Sequence, residues 1–276
     1  MTVHLVTFAT PDMGRSRDLC IESAIRNGIE GGNVDPWSDG DLVDLPDDAF
    51  YITRPDDPRR ALGWWSWKPA IIDRNLNGSW CKDGDILIYA DAGVEFIAPV
   101  SHIIERMDQD IFLFGNNWEH AHWCKRDIVD EVWLKDTASS LADAMDYHST
   151  WDRFGKQVQA SVIFFRVSDY TRQFVAEWLK WCLFEGGRLI DDSPSRAPNH
   201  PEFRENRHDQ AILTTMAYRE GLRLHAWPAV YNRFLGQEFV YSREGYPESD
   251  NYPALFHHHR FRNSDFEVNK NGSMDT

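Results

Sequence analysis

No stretch of the 276 residues approaches the ~20 consecutive apolar positions that a membrane-spanning helix needs. The start, MTVHLVTFAT, shows no basic segment followed by an apolar one, so no secretory leader is expected and a cytoplasmic protein is. Association with the inner membrane face through acceptor lipids is left open by the composition. The four cysteines, Cys20, Cys81, Cys124 and Cys182, form no C-x-x-C pair, so neither a zinc ribbon nor a disulfide framework is expected. Positive charge is also in short supply: 29 Lys and Arg face 44 Asp and Glu, a formal net charge of -15. That sign argues against broad nucleic-acid or anionic-membrane binding, which needs a positive field. It leaves room for a local basic pocket that takes a diphosphate. What the chain does have is apolar and aromatic side chains, 42% and 13% of it, with 12 tryptophans. Such a composition predicts a folded globular protein with one sizeable α/β domain or two small ones.

The stretch that organises the rest is Gly63 to Phe96, GWWSWKPAIIDRNLNGSWCKDGDILIYADAGVEF. Ile86 to Tyr89 is a short apolar run after Gly84-Asp85, which predicts a buried central strand. The run stops at Ala90-Asp91-Ala92-Gly93, placing the Asp91 carboxylate at the carboxyl end of the strand, where open α/β sheets hold ligands. Gly93 permits a sharp turn and a close approach; an ordinary Asp-Gly turn is the plainer alternative. Upstream, Pro69 suits the first turn of a helix continued by Ala70 to Leu76. Lys68 then stands at a helix mouth, where a cation and free backbone N–H groups suit a phosphate. Trp64, Trp65 and Trp67 read either as core or as an aromatic wall for a base or sugar.

A hydrophobic strand ending in Asp-Ala-(Asp or Gly) resembles the metal and nucleotide-sugar motif of GT-A fold glycosyltransferases. The longer string, G-W-W-x-W-K-P and then G-D-I-L-x-Y-x-D-A-G, is similar to a bacterial family found among polysaccharide-biosynthesis glycosyltransferases. Arg207-His208-Asp209-Gln210-Ala211-Ile212 resembles that family's H-R-H-D-Q-S block, and the likeness spans roughly 1 to 235. It implies a single GT-A-like (Rossmann-like) α/β domain over 1-235, with a mixed, mostly parallel central sheet flanked by helices. Residues 236-276 would be a tail that adds His and Arg to the site. The activity implied is glycosyl transfer from a nucleoside-diphosphate sugar, a UDP-sugar favoured, to a saccharide or glycoconjugate acceptor. A catalytically inactive nucleotide-sugar-binding module of the same fold is the alternative. A metal-dependent phosphohydrolase also needs clustered Asp and His, but the aromatic and HDQ blocks do not favour it.

Carried onto this chain, the resemblance nominates Asp91 and Asp209 as catalytic carboxylates. Phe8, Ala9, Thr10, Trp67, Lys68, Gln159, His208, Gln210 and Arg260 would bind the nucleotide sugar. Asp91 and His258 would hold Mn²⁺ or Mg²⁺. In one respect the chain departs from the pattern: Gly93 stands where the second carboxylate of D-x-D is usual. Either the tail completes a metal site, or Lys68 and Arg260 partly replace the metal.

The remaining segments follow from pattern. Val3 to Ala9 predicts a first strand and Arg15 to Asn27 a helix, with Arg15 and Arg17 able to reach a phosphate. Leu42 to Leu45 predicts a second strand, Val100 to Met107 a short helix, Ile111 to Phe114 a buried strand. Gly115 to Trp123 is polar, aromatic and non-periodic and predicts an acceptor-recognition loop; His120 and His122 read as hydrogen-bonding or metal-binding residues. Thr137 to Tyr147 predicts an amphipathic helix, Gln159 to Val167 a strand, and Asp169 to Phe184 a helix. Asp191 to Pro201 is long enough for a lid. Helix-spaced Gln210, Leu213, Thr214 and Ala217 put Arg207 to Gln210 at a helix start. Leu222 to Trp227 predicts an edge strand, the His257-His258-His259 run a site element or a solvated turn, and the last ten residues disorder.

Overall fold

The structure, a computed structural model, describes residues 1–45, 61–134, 150–231 and 239–266. The expected helix over Thr137 to Tyr147 and the final ten residues lie outside them. Seven strands among the described residues form the central sheet: β1 (Val3–Ala9), β2 (Val34–Ser38), β3 (Ile86–Asp91), β5 (Ile111–Glu119), β6 (Lys156–Val158), β7 (Val162–Arg166) and β8 (Leu224–Ala226). Their order is β2-β1-β3-β7-β5-β6, with β8 also paired to β5. A four-stranded second sheet runs β10-β9-β11-β4, built from β4 (Val94–Phe96), β9 (Ala229–Tyr231), β10 (Phe239–Val240) and β11 (Phe256–His258). Four longer helices pack around them: α1 (Gly14–Arg26), α2 (Trp67–Asn77), α3 (Asp169–Leu183) and α4 (His208–Arg219). The expected mixed α/β architecture with helix-flanked central sheet is therefore present. Its pairings are less parallel than expected: β1–β2, β1–β3 and β5–β8 are parallel, while β3–β7, β5–β7 and β5–β6 are antiparallel.

Alternation along the strands divides the core in two. Val6, Phe8, Leu87, Tyr89, Leu113, Ile163 and Phe165 face one cluster with α2, α3 and α4. Leu5, Ile86, Ile88, Ala90, Phe112, Phe114, Val162 and Phe164 face the other, which holds α1 and the second sheet. A strand buried on both sides carries no polar face to mark its period, which is why β3 reads as a continuous apolar run. The parity also aims Asp91: two residues after Tyr89, its side chain leaves β3 toward the α2 side. α3 opens on a box in which Ser168 and Thr171 cap each other. It buries Phe174, Trp178, Leu179 and Cys182, each large apolar side chain contributing about 1.5–3 kcal/mol when removed from water.

Several segments differ from the sequence expectation. Leu42 to Leu45 does not form the second strand; Asp39–Asp44 is a 3-10 helix, because Ser38 and Asp41 close a capping box at its start. The second strand is instead Val34–Ser38, an edge position that tolerates Pro36. Gly115 to Trp123 is no free loop: β5 runs on to Glu119, with Gly115 paired to Val158 and Glu119 to Lys156, and His120–His122 forms a 3-10 turn. The Gln159 to Val167 stretch enters the sheet only from Val162, after the separate short strand β6. The helix expected over Val100 to Met107 shrinks to Ser101–Ile104. The histidine run is not a solvated turn, since His257 and His258 are buried in β11.

Beyond β11 the tail returns to the start of the chain. Asn263 accepts from the Arg15 backbone N–H at 2.9 Å and donates to the Pro11 carbonyl at 2.9 Å. Arg15 also lies over the Phe266 ring, 5.0 Å from its centroid. Arg15 is thus used to fasten the tail, and Arg17 pairs with Asp18.

Candidate active site

The carboxyl end of β3 lies against the mouth of α2 and the first turn of α4, and Lys68 joins the three. Its Nζ is 3.2 Å from Asp91 Oδ1, 3.8 Å from Asp209 Oδ2, and donates to the Ala160 carbonyl at 3.0 Å. Lys68 and Asp209 are each only 3% exposed. An ammonium at such depth costs several kcal/mol unless charge and hydrogen bonds compensate it, and here two carboxylates and a carbonyl do. The Asp91 side chain is 29% exposed, so the cluster opens to solvent through it. Tyr89 holds that carboxylate from behind, its hydroxyl donating to Oδ1 at 2.5 Å, while the Asp91 N–H donates to the Ser161 carbonyl at 2.8 Å.

Asp209 is in a different state. Burial pushes its carboxyl up to about 7; the nearby Asp91 charge adds to the rise and the Lys68 ammonium opposes it. Its Oδ2 accepts no hydrogen bond among the described residues. Its backbone carbonyl accepts from Trp178 Nε1 at 3.0 Å, which ties the turn to α3. His208 next to it is held in the left-handed region (φ 52), uncommon for a residue with a side chain. His208 Nδ1 donates to the Ile190 carbonyl at 2.6 Å, and its ring stacks on Trp65 with centroids 5.3 Å apart. Strain of this kind, on the order of 1–3 kcal/mol, concentrates where geometry serves a site.

On the other flank the tail supplies His258 and Arg260. Arg260 Nε donates to His258 Nε2 at 3.0 Å, and Ser161 Oγ stands 3.5 Å from the same nitrogen. Gln159 Nε2 donates to Ser161 Oγ at 2.7 Å, extending the chain of contacts. Burial, followed by the charge of Arg260, holds the His258 imidazole well below its usual range. Gly93 explains the tail's position. A Cβ there would lie 2.8 Å from Arg260 Cα, and the Gly93 carbonyl accepts from the His259 and Arg260 N–H groups at 3.0 and 3.1 Å. Replacing Gly93 with alanine is expected to lower Tm by several degrees, because overpacking against backbone costs about 1–3 kcal/mol. A thermal melt of the variant measures it, and an unchanged Tm would show that the tail yields freely.

The expected residues thus gather unevenly. Asp91, Lys68 and Asp209 form one cluster, and Gln159, His258 and Arg260 form its tail-side flank. Phe8 and Trp67 are buried against each other, centroids 4.0 Å apart, and make the floor rather than the lining. Ala9 is buried, and Thr10 donates to Asp12 Oδ1 at 2.5 Å on the rim. Gln210 turns away to Gln157 Oε1, at 2.6 Å. Tyr89 and Gln157 were not expected. Tyr89 alone had a sequence signal, since residues two apart on a strand share a face. The aromatic block divides its labour: Trp67 is core, while Trp64 and Trp65 stay part-exposed, Trp64 Nε1 lying 3.4 Å from Asp192 Oδ2.

The loop expected as a lid is fastened. Lys125 Nζ bonds Asp191 Oδ1 at 2.9 Å, Arg188 pairs with Asp127 at 3.1 Å, and the Arg126 N–H donates to Asn199 at 2.7 Å. His120 is buried against Thr215 Oγ1 at 3.0 Å, its imidazole pushed down to about 3 by burial. His122 Nε2 pairs with Glu202 at 2.7 Å beside His200. A groove of about 410 Å³ lined by Asp35, Trp37, Arg74 and Trp80 includes none of the residues of this cluster.

The donor set at Asp91 and His258 does not suit a divalent ion. Asp91 is already engaged by Tyr89 and Lys68, and the His258 Nε2 lone pair by a guanidinium, a group that cannot lose its proton. Hard cations such as Mg²⁺ take six or so oxygen ligands. Among the described residues the three-donor group with ligand atoms within 4.8 Å is His122, His200 and Glu202, not this cluster.

No protein-family model and no curated protein matches the chain. Solved structures similar to it include the galactosyltransferase LgtC in complex with donor and acceptor sugar analogues: 12% identity over 94% of this chain and 87% of that one, TM-score 0.48. Mouse xyloside xylosyltransferase 1 is 10% identical over 94% of this chain and 97% of that one, TM-score 0.46. A glycosyltransferase involved in glycosylation of the major capsid of PBCV-1 is 10% identical over 98% of each chain, TM-score 0.44.

Proposed function

We propose that this chain is a glycosyltransferase that moves a sugar from a nucleoside-diphosphate donor, a UDP-sugar favoured, to a saccharide or glycoconjugate acceptor. The supporting observation is the single cluster in which Lys68 stands between Asp91 and Asp209, at the carboxyl end of the central strand. It unites the two sequence blocks that carry the resemblance to polysaccharide-biosynthesis enzymes.

The chemistry follows from charge. Glycosyl transfer expels a diphosphate anion, so positive groups must face the oxygen where charge develops. Lys68 and Arg260 are the cations at hand. Asp209 is the carboxylate that meets the sugar, as base, nucleophile or hydroxyl partner; a group titrating near neutrality is well matched to proton transfer. Asp91 orients Lys68 and is the more open of the two acids. No helix of the described residues is long and apolar enough to cross a membrane. A cytoplasmic site of action, with peripheral association with the inner membrane left open, belongs to the same proposal.

The test is release of nucleoside diphosphate from a panel of nucleotide sugars offered with saccharide acceptors. Acceptor-dependent release with one or more donors is the expected result. Saturable donor binding with no release under any pairing would replace the enzyme by an inactive binding module of the same architecture.

A further inference from the structure

We infer that the exposed Arg260, backed by the buried charge of Lys68, grips the donor diphosphate in place of a divalent ion, so that donor binding needs no metal. The inference rests on the nucleotide-sugar reading of the site and specifies how it handles charge.

Four observations converge on it. First, the position of the second D-x-D carboxylate is sterically closed. A Cβ on Gly93 would meet the Arg260 backbone at 2.8 Å, so any side chain there, a carboxylate included, displaces the tail. Second, the space between the two carboxylates that remain is filled. Lys68 Nζ lies 3.2 Å from one and 3.8 Å from the other, and at 3% exposure with a carbonyl bond it is an anchored part of the fold. Third, the imidazole that could have been a ligand is committed elsewhere. Arg260 donates its Nε–H to His258 Nε2, which leaves Nδ1 to carry the proton, 3.3 Å from the Tyr231 hydroxyl.

Fourth, Arg260 itself is arranged for an anion. It is exposed, and among the described residues it pairs with no carboxylate, in a chain whose acidic residues outnumber its basic ones 44 to 29. Its backbone is held in the left-handed region (φ 56), an arrangement disfavoured for a residue with a Cβ. Hydrogen bonds from His259 and Arg260 to the Gly93 carbonyl impose that turn, and the imidazole of His258 fixes Nε. The guanidinium fork keeps its terminal N–H groups for phosphate oxygens, which it matches two at a time, while Lys68 adds a point charge from beneath.

The experiment is titration calorimetry of UDP, GDP and ADP into the whole chain, once in EDTA and once in Mn²⁺. The expected result is binding of at least one diphosphate with affinity that differs by less than about twofold between the two buffers. Arg260→Asn, chosen because asparagine tolerates the left-handed backbone, should weaken that binding about tenfold or more, and Arg260→Lys should recover part of it. Arg260→Gly, which relieves the strain altogether, checks that any loss is not misfolding. Binding that appears only with Mn²⁺, or that Arg260→Asn leaves unchanged, overturns the built-in cations but keeps the nucleotide-sugar site. Absence of binding for all three diphosphates in both buffers overturns the site reading itself, and this inference with it.

Discussion

Asp91→Asn is expected to lower kcat by more than ~100-fold while the protein still folds. Asparagine keeps the shape but loses the charge that balances Lys68, and it turns an amide toward an ammonium that needs an acceptor. Lys68 would then lean on Asp209 and the Ala160 carbonyl alone, which shifts the cation away from the open side of the cluster. The fold should survive because the Asp91 side chain is part-exposed and its backbone N–H bond to Ser161 does not depend on the carboxylate. A second effect separates this role from mere structure. The Asp91 charge helps to hold the Asp209 carboxyl up, so its removal should move the acidic limb of the pH–rate profile to lower pH. Steady-state kinetics across pH, with a melting curve of the variant, check both. Near-full activity, or an acidic limb that moves upward, would remove Asp91 from the assigned role.

Asp209→Asn should be at least as damaging to turnover, yet raise stability at alkaline pH. The folded-state carboxyl titrates near 7, against an ordinary value of 3.8. The folded protein therefore holds this proton more tightly than the unfolded chain does. That contribution is complete below about pH 4, and it is lost as pH rises through about 7. Above that point the wild type carries a buried carboxylate whose desolvation exceeds what Lys68 returns. Asparagine has no such charge, so the stability difference between variant and wild type should swing in the variant's favour by a few kcal/mol between pH 4 and 8. Comparing the two proteins also cancels His258 and His259, whose lowered values tilt both curves the opposite way. Urea midpoints at pH 5 and pH 8 measure the swing. A variant less stable than wild type at pH 8 would mean that the Lys68 pairing outweighs burial, and that Asp209 stays ionised throughout. A stabilised but inactive variant is the signature of a group kept for chemistry at the expense of the fold.

Legibility of the site followed the range of the forces involved. β1, β3, α1, α2 and α3 were readable because period and apolar content are local properties. Capping by Ser38 and Asp41 is equally local, but the apolar run from Leu42 to Leu45 alone predicts a strand, where the cap in fact opens a 3-10 helix. Polar Gly115 to Glu119 looked like a loop because its partner, Lys156 to Val158, is remote in sequence, and pairing supplies the hydrogen bonds that its composition does not announce. Asp91 could be placed at a strand end from sequence, and Asp209 at a helix start. Their shared ammonium could not, since no periodicity relates α2 to α4.

The chain order of residues alone determined an acidic, tryptophan-rich α/β protein, a carboxylate closing its central strand, and a His-Asp-Gln turn opening a late helix. Only tertiary structure decided that Lys68 sits between the two acids, that Asp209 is buried deeply enough to titrate near neutrality, and that Arg260 crosses Gly93. The reason is physical. Secondary structure answers to neighbours a few residues away, whereas desolvation, charge pairing and steric closure depend on which distant segments the core brings into contact.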